Sequence, residues 1–178
     1  MRSFLLQALF KGRAVVKRPE EDPAMLAEAA NALAARARRR LGRSLALREI
    51  DAGSCNGCEL EINALNNPVY DIERFGLKFV ASPRHADILL VTGPVTWNMR
   101  QALERTYAAT PEPKWVLAAG DCARDCGVFA GSRACAGPVS AVIPVDLHVA
   151  GCPPAPIEIL KGLLTLIDGM NGEDTLRR

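Results

Sequence analysis

Apolar positions in this chain fall into two patterns. The first is an unbroken run of four to six residues. Ala86 to Gly93 and Lys114 to Ala119 read this way, and each is predicted to be a strand buried on both faces. Leu45 to Ile50 is predicted as the first strand of the core, Phe79 to Ala81 as a short one and Ile143 to Val149 as the last. The second pattern is helical spacing. Leu26, Ala30, Leu33, Ala34, Ala37 and Leu41 recur on one face, with Asp22 and Pro23 as cap and first turn and Gly42 as the stop. Helices are also expected over 59–66, 97–108 and 157–167, the last with Gly169 past its end. Gly120 to Pro138 carries neither pattern, and a loop of that length in a compact domain is usually functional. Strands alternating with helices predict an α/β fold: a flavodoxin-like three-layer sandwich with a mostly parallel sheet, preceded by an N-terminal helical extension. The expected division is 1–44 for a basic, amphipathic helical extension, 45–170 for the sandwich and 171–178 for a tail.

Charge adds an asymmetry to this picture. Residues 1–50 hold 11 Lys and Arg against 5 Asp and Glu, whereas 51–178 hold 11 against 15. A basic leader on a mildly acidic body predicts contact with an acidic partner subunit or a phospholipid surface. Phe4, Leu5, Leu6, Leu9 and Phe10 make residues 1–18 a short amphipathic helix, docked on a partner or lying on a membrane. No apolar run approaches the roughly 20 residues of a spanning helix. Lys11, Gly12 and Arg13 interrupt any secretory signal, so the chain is expected in the cytoplasm. The arginines at 36 and 38–40 crowd a helix end, where cations suit the dipole, and lack the aromatic interleaving that reads bases, so no nucleic-acid partner is expected.

The candidate chemistry is sulfur. In a reducing compartment, six cysteines argue for metal rather than disulfides. Cys55 and Cys58 lie in a glycine-bearing turn after the first core strand, Cys122 follows the run ending at Ala119, and Cys152 follows the run ending at Val149. If these strands are parallel neighbours, their carboxyl ends bring four thiols to one rim, where α/β sheets bind ligands. The leading reading is one four-iron four-sulfur (4Fe-4S) cluster. A zinc site, with Cys122 and Cys126 as a second pair, and a redox-active Cys-x-x-Cys remain alternatives. Cys126 and Cys135 read as buried or incidental thiols, although Cys126 is near enough to Cys122 in sequence to compete with it. Glu59 and Glu61 suit the first turn of a helix, or accept protons beside a redox centre. His148 reads as a packed or solvated strand residue. No P-loop, dinucleotide fingerprint or hydrolytic constellation is present, so no catalytic residue is assigned and the expected task is electron transfer between partners.

Five segments together carry a resemblance. They are Cys55-Asn56-Gly57-Cys58-Glu59-Leu60-Glu61, Glu73 to Gly76, Ser82 to Leu90, Gly120 to Ala123, and Pro144 to Pro154 with its Gly151-Cys152-Pro153-Pro154 element. Over about residues 45–167 the chain resembles the 20 kDa (B) subunit family of NADH:quinone oxidoreductase, shared with the small subunits of membrane-bound, energy-converting nickel–iron hydrogenases. The respiratory branch typically has adjacent cysteines where this chain has Cys55-x-x-Cys58, so the resemblance points to the group 4 hydrogenase branch, of the formate hydrogenlyase type. It implies that Cys55, Cys58, Cys122 and Cys152 bind one 4Fe-4S cluster nearest a large subunit that holds the nickel–iron centre. It further implies a ferredoxin-like subunit as electron donor, integral membrane subunits underneath, and a peripheral place on the cytoplasmic face of the cell membrane. Cys126 stands where the family usually has glycine. The alternatives are a quinone-reducing complex, a related complex whose large subunit lacks nickel ligands, and a zinc-stapled interaction subunit.

Overall fold

A computed structural model describes residues 23–169. The expectations for residues 1–18 and for the tail from 171 lie outside the described residues. In chain order the strands are β1 (Leu45–Asp51), β2 (Leu77–Phe79), β3 (Ile88–Thr92), β4 (Val95–Thr96), β5 (Trp115–Ala119), β6 (Cys135–Gly137) and β7 (Leu147–Val149). The helices are α1 (Pro23–Leu41), α2 (Gly57–Ala64), α3 (Trp97–Ala109), α4 (Asp121–Asp125) and α5 (Pro156–Gly169). The main sheet runs β2-β1-β3-β5-β7 and every pairing in it is parallel. Taken as five strands, that is the 2-1-3-4-5 order of the flavodoxin-like fold.

The continuous apolar runs are explained by a sheet covered on both faces. Ile88 and Leu90 of β3, with Leu117 and Ala119 of β5, face one core that α1, α2 and α5 close. Leu89 and Val91, with Val116 and Ala118, face a second core that Leu103 of α3 and Ala123 of α4 close. Each fully buried leucine contributes about 1.5–3 kcal/mol. Ala30 and Leu33 of α1 are fully buried in the first core, so this helix is an integral layer of the sandwich.

Polar groups pin the strand entrances. Asp87, almost fully buried, accepts the Ala46 amide at 2.8 Å and both terminal nitrogens of Arg43. Its own amide donates to the Ala46 carbonyl, tying β3 to β1 just before their ladder begins. Between α2 and β2, Ile72–Phe75 forms one 3-10 turn, and Arg74 stacks over Phe75 at 4.7 Å from the ring centroid.

Two expectations need correction. The last strand is Leu147–Val149 only; its expected beginning at Ile143 lies in the irregular segment after a 3-10 turn over Val139–Ala141, with Ile143 buried in the second core. Burial without strand geometry gives the same apolar signal. The segment 120–138 is not a bare loop. It holds α4, a 3-10 turn over Gly127–Phe129, and β6, which pairs antiparallel with β4 as a separate two-stranded sheet.

Candidate functional site

The ladder register aligns the strand ends. Asp51 lies opposite Thr92, Thr92 opposite Ala119, and Ala119 opposite Val149. Each of these strands next turns on a glycine with positive φ: Gly53 (129°), Gly93 (71°), Gly120 (93°) and Gly151 (137°). Three of these turns deliver cysteine. The structure therefore places Cys55, Cys58, Cys122 and Cys152 on one rim of the sheet, close enough that the charges of the other three act on Cys58.

The turns are held by named hydrogen bonds. Asp51 Oδ1 accepts the amides of Gly53 and Ser54, both at 2.7 Å, and Ser54 Oγ accepts the Asn56 amide at 3.1 Å. These fix the path into Cys55 and α2. Thr96 braces the same turn: its amide and its hydroxyl both donate to the Ala52 carbonyl, at 2.9 and 3.2 Å. On the other side, the Gly120 amide donates to the Val149 carbonyl at 2.8 Å, and the Asp121 amide to the Gly151 carbonyl at 2.9 Å. The Asp121 carboxylate accepts the Gly151 amide in return at 3.0 Å. The Cys122 and Cys152 turns are thus locked to each other.

Glycines form the floor beneath the sulfurs. A Cβ at Gly120 would come within 2.6 Å of Cys58 Sγ, one at Gly127 within 3.0 Å of Cys122 Sγ, and one at Gly57 within 3.5 Å of Cys55 Sγ. Backbone therefore approaches the thiols as closely as packing allows, and the Val128 amide hydrogen-bonds the Cys122 sulfur.

Cys58 is buried, whereas Cys55 and Cys152 are exposed and Cys122 is half-buried. Burial, then the charge of Glu59, then the neighbouring thiols push the Cys58 thiol up to about 12. Burial likewise raises Cys122. A nucleophilic redox pair needs the opposite, a thiol lowered toward neutrality. Among the described residues, no three Cys, His, Asp or Glu side chains group as tightly as a single metal ion requires.

Cys126 does not join this group. It is buried at the end of α4, and the charges that raise its thiol are those of Cys135 and Asp125, after burial itself. His148 is exposed on β7, as a solvated strand residue would be, and Glu61 is half-buried.

Three residues were less legible in the sequence. Glu59 is only 7% exposed, and neither carboxylate oxygen has a hydrogen-bond partner. Glu49 of β1 feels the Glu59 charge, and burial and that charge raise its carboxyl to about 6. Arg48 Nε is buried beside it without a partner. Arg48 and Glu49 line a cleft of about 240 Å³ with Asn63, Asn66 and Phe79. The available signal was a charged pair inside an otherwise apolar strand. Glu49 has a measurable consequence. Its folded pKa lies above the ordinary 4.5, so the folded state binds the proton more tightly. Its stabilising contribution is complete below about pH 4.5 and is lost as pH rises through about 6. Urea unfolding of anaerobic protein is expected to show a loss of about 1 kcal/mol over that window, after discounting for solvent screening. Glu49→Gln is expected to flatten it; an unchanged slope in the variant would assign the effect elsewhere.

Comparison with known proteins gives a consistent result. Residues 55–166 match the family model described as NADH ubiquinone oxidoreductase, 20 Kd subunit. The chain is 48% identical over 128 residues to a probable membrane-bound hydrogenase subunit, mbhJ, of Pyrococcus furiosus, covering 72% of this chain and 77% of that protein. It is 44% identical over 124 residues to formate hydrogenlyase subunit 7 of Escherichia coli, covering 70% of this chain and 49% of the relative. It is 46% identical over 110 residues to the NADH-quinone oxidoreductase B subunit of Heliobacterium modesticaldum, covering 61% and 63%. A chain in the solved structure of the membrane-bound sulfane sulfur reductase, an archaeal respiratory membrane complex, superposes with a TM-score of 0.66 at 32% identity, covering 86% of this chain and 78% of that one. No helix among the described residues is long and apolar enough to cross a membrane. With a matching model over more than half its length, this chain belongs to the NADH:ubiquinone oxidoreductase 20 kDa subunit family, a family of oxidoreductase-complex subunits.

Proposed function

We propose that this chain is the electron-transfer subunit of a membrane-bound hydrogenase of the formate hydrogenlyase type, carrying one 4Fe-4S cluster on Cys55, Cys58, Cys122 and Cys152. The observation that carries the reading is the delivery of four thiols to one rim from three parallel strand ends, over a floor of glycines.

The residues fit such a group. Tetrahedral zinc, with Zn–S of about 2.3 Å, needs its sulfurs only about 3.8 Å apart; a cube of four irons takes its ligands from farther apart. The raised Cys58 and Cys122 thiols call for metal charge to hold them as thiolates, since coordination deprotonates a thiol outright. When bound, the cluster supplies one-electron storage at the sheet rim. The chain's own residues do the rest. Glycines at 57, 120 and 127 leave space beside the sulfurs, and the Val128 amide withdraws charge from the Cys122 sulfur. Glu59 brings negative charge beside Cys58, which opposes a reduced, more negative state and so sets the potential lower. Leu60 and Val128, exposed at 61% and 79%, flank the thiols and suit coverage by another subunit.

In this reading the chain relays electrons between a ferredoxin-like subunit and a large subunit that carries a nickel–iron centre, with integral membrane subunits underneath and the chain peripheral on the cytoplasmic face. The Cys55-x-x-Cys58 spacing and the hydrogenase relatives favour this branch. The second reading, a B-type subunit of a quinone-reducing complex, draws on the Heliobacterium relative. The test is metal analysis and EPR of the anaerobically purified complex. About four iron and four sulfide per chain, beyond those of partner clusters, are expected, with a signal on reduction. Nickel in the large partner decides for the hydrogenase branch; its absence overturns that branch and leaves the second reading and a related complex whose large subunit lacks nickel ligands. Zinc without sulfide would overturn both.

A further inference from the structure

The thiol rim occupies the carboxyl end of the sheet. The amino end carries a cleft of another kind. Arg43, Lys78, Arg84 and His85 line a hollow of about 280 Å³, with Val80 and Ala86 of the second core as its apolar part. Separate segments supply the cations. Arg43 lies just before β1, Lys78 stands opposite Ala46 in the β1–β2 ladder, and Arg84 and His85 belong to a 3-10 turn over Pro83–His85 that leads into β3. From this end β1 runs seven residues to Asp51 at the rim. At a strand rise of about 3.3 Å per residue, cleft and rim lie on the order of 20 Å apart, so the cleft is no part of the thiol site.

The cleft is charged on one side of the balance only. No carboxylate lines it. Asp87, behind Arg43, is almost fully buried, and its two oxygens are taken by Arg43 and the Ala46 amide. That pairing holds Arg43 in place and uses two of the five N–H donors of its guanidinium, which leaves donors for a second acceptor. The 3-10 turn is held as well. The Arg84 amide donates to Ser82 Oγ at 3.4 Å, and the His85 and Ala86 amides to the Ser82 and Pro83 carbonyls at 3.2 and 3.1 Å. Lys78, Arg84 and His85 are exposed, and among the described residues none of them is ion-paired.

We propose that this cleft binds the phosphate of an anionic phospholipid headgroup and so seats the amino end of the sheet against a membrane surface. Arginine forks and a lysine point charge suit phosphate oxygens. The hollow is smaller than the roughly 300–1,000 Å³ of sites that take drug-sized ligands, so it fits a single headgroup rather than a peptide segment with several acidic side chains. No helix among the described residues is long and apolar enough to cross a membrane, so these residues meet a bilayer through their surface. There the anionic leaflet attracts clustered Lys and Arg. The inference rests on the proposed peripheral place at a membrane and not on the cluster.

The test uses the full chain, isotope-labelled and purified without oxygen, titrated with dihexanoyl phosphatidylglycerol below its micelle concentration and followed by NMR. The amides of Lys78, Arg84 and His85 are expected to shift, and to shift less with dihexanoyl phosphatidylcholine, while those of α5 in the first core stay in place. Co-sedimentation with phosphatidylcholine vesicles containing phosphatidylglycerol is expected to weaken about tenfold in a Lys78→Gln, Arg84→Gln double variant. Lys78→Arg is expected to keep it. Both side chains are exposed, so the variants fold, and every protein compared carries the same basic leader. Iron and sulfide are expected to be unchanged in the double variant, so loss of this proposal and loss of the electron-transfer reading are read separately. Undiminished vesicle binding by the double variant, inorganic phosphate that moves the same amides as strongly as phosphatidylglycerol at equal concentration, or a glutamate-rich peptide that moves them when the lipid does not would each overturn the proposal.

Discussion

Cys152→Ala is expected to reduce iron and sulfide from about four of each per chain to near background, and to abolish the EPR signal of the reduced protein. Cys152 is exposed and makes no contribution to either core, so the variant should keep the native α/β circular dichroism and a similar unfolding midpoint for the cluster-free chain. The effect is large because the rim offers little substitution. The thiols whose charges reach Cys58 are Cys122, Cys55 and Cys152, and Cys126 is not among them. Cys126→Ser is therefore expected to retain full iron. A Cys152→Ala protein with four irons, or a Cys126→Ser protein with none, would show that the ligand set is assigned wrongly. Both variants are read by the same iron, sulfide and EPR measurements.

Gly120→Ala is expected to lower stability by about 2–6 kcal/mol and to deplete iron as well, although no ligand is changed. Two costs combine. At φ 93° and ψ 158° the backbone lies in a region that essentially only glycine adopts, which costs an L side chain about 1–3 kcal/mol. The added Cβ would also lie 2.6 Å from Cys58 Sγ, and crowding of a packed site typically costs about 1–3 kcal/mol. Retreat is blocked, because the Gly120 amide is bonded to the Val149 carbonyl and the sulfur is buried against the turn. Gly131→Ala separates the two costs. Gly131 has a φ of 79° but nothing within 4 Å of its would-be Cβ, so that variant carries conformational strain alone. Denaturant unfolding of the two variants, with iron content measured in each, is the check. Equal losses in stability would remove the claim that the glycine floor beneath Cys58 matters.

The rim was readable before the fold because of where the cysteines sit relative to apolar runs. Parallel strands covered on both faces appear in sequence as unbroken apolar segments, and β3 and β5 show this plainly. Once the runs of β1, β5 and β7 are each followed by glycine and cysteine, topology needs only to bring those strand ends to one rim. Shorter pieces were not readable. β4 has two residues and β6 three, too few for any period to register. β2 begins at Leu77, ahead of the expected Phe79, because its pairing with Leu45 sets its start rather than its own composition.

Local pattern along the chain was enough for the α/β class, the order of the main elements and the position of four thiols at strand ends, which follow from apolar period, turn residues and spacing. The family came instead from the resemblance carried by the five motif segments. The packed fold was needed to divide the sulfurs, with four on the rim and Cys126 buried at the end of α4, since four residues of sequence separation from Cys122 do not say which way a left-handed residue turns its side chain. It was needed as well to leave Glu59 buried without a partner while Glu61, two positions on, is half-buried. The charge of a carboxylate is visible in a sequence. Its desolvation depends on which neighbouring elements close over it, and that is a property of the packed fold.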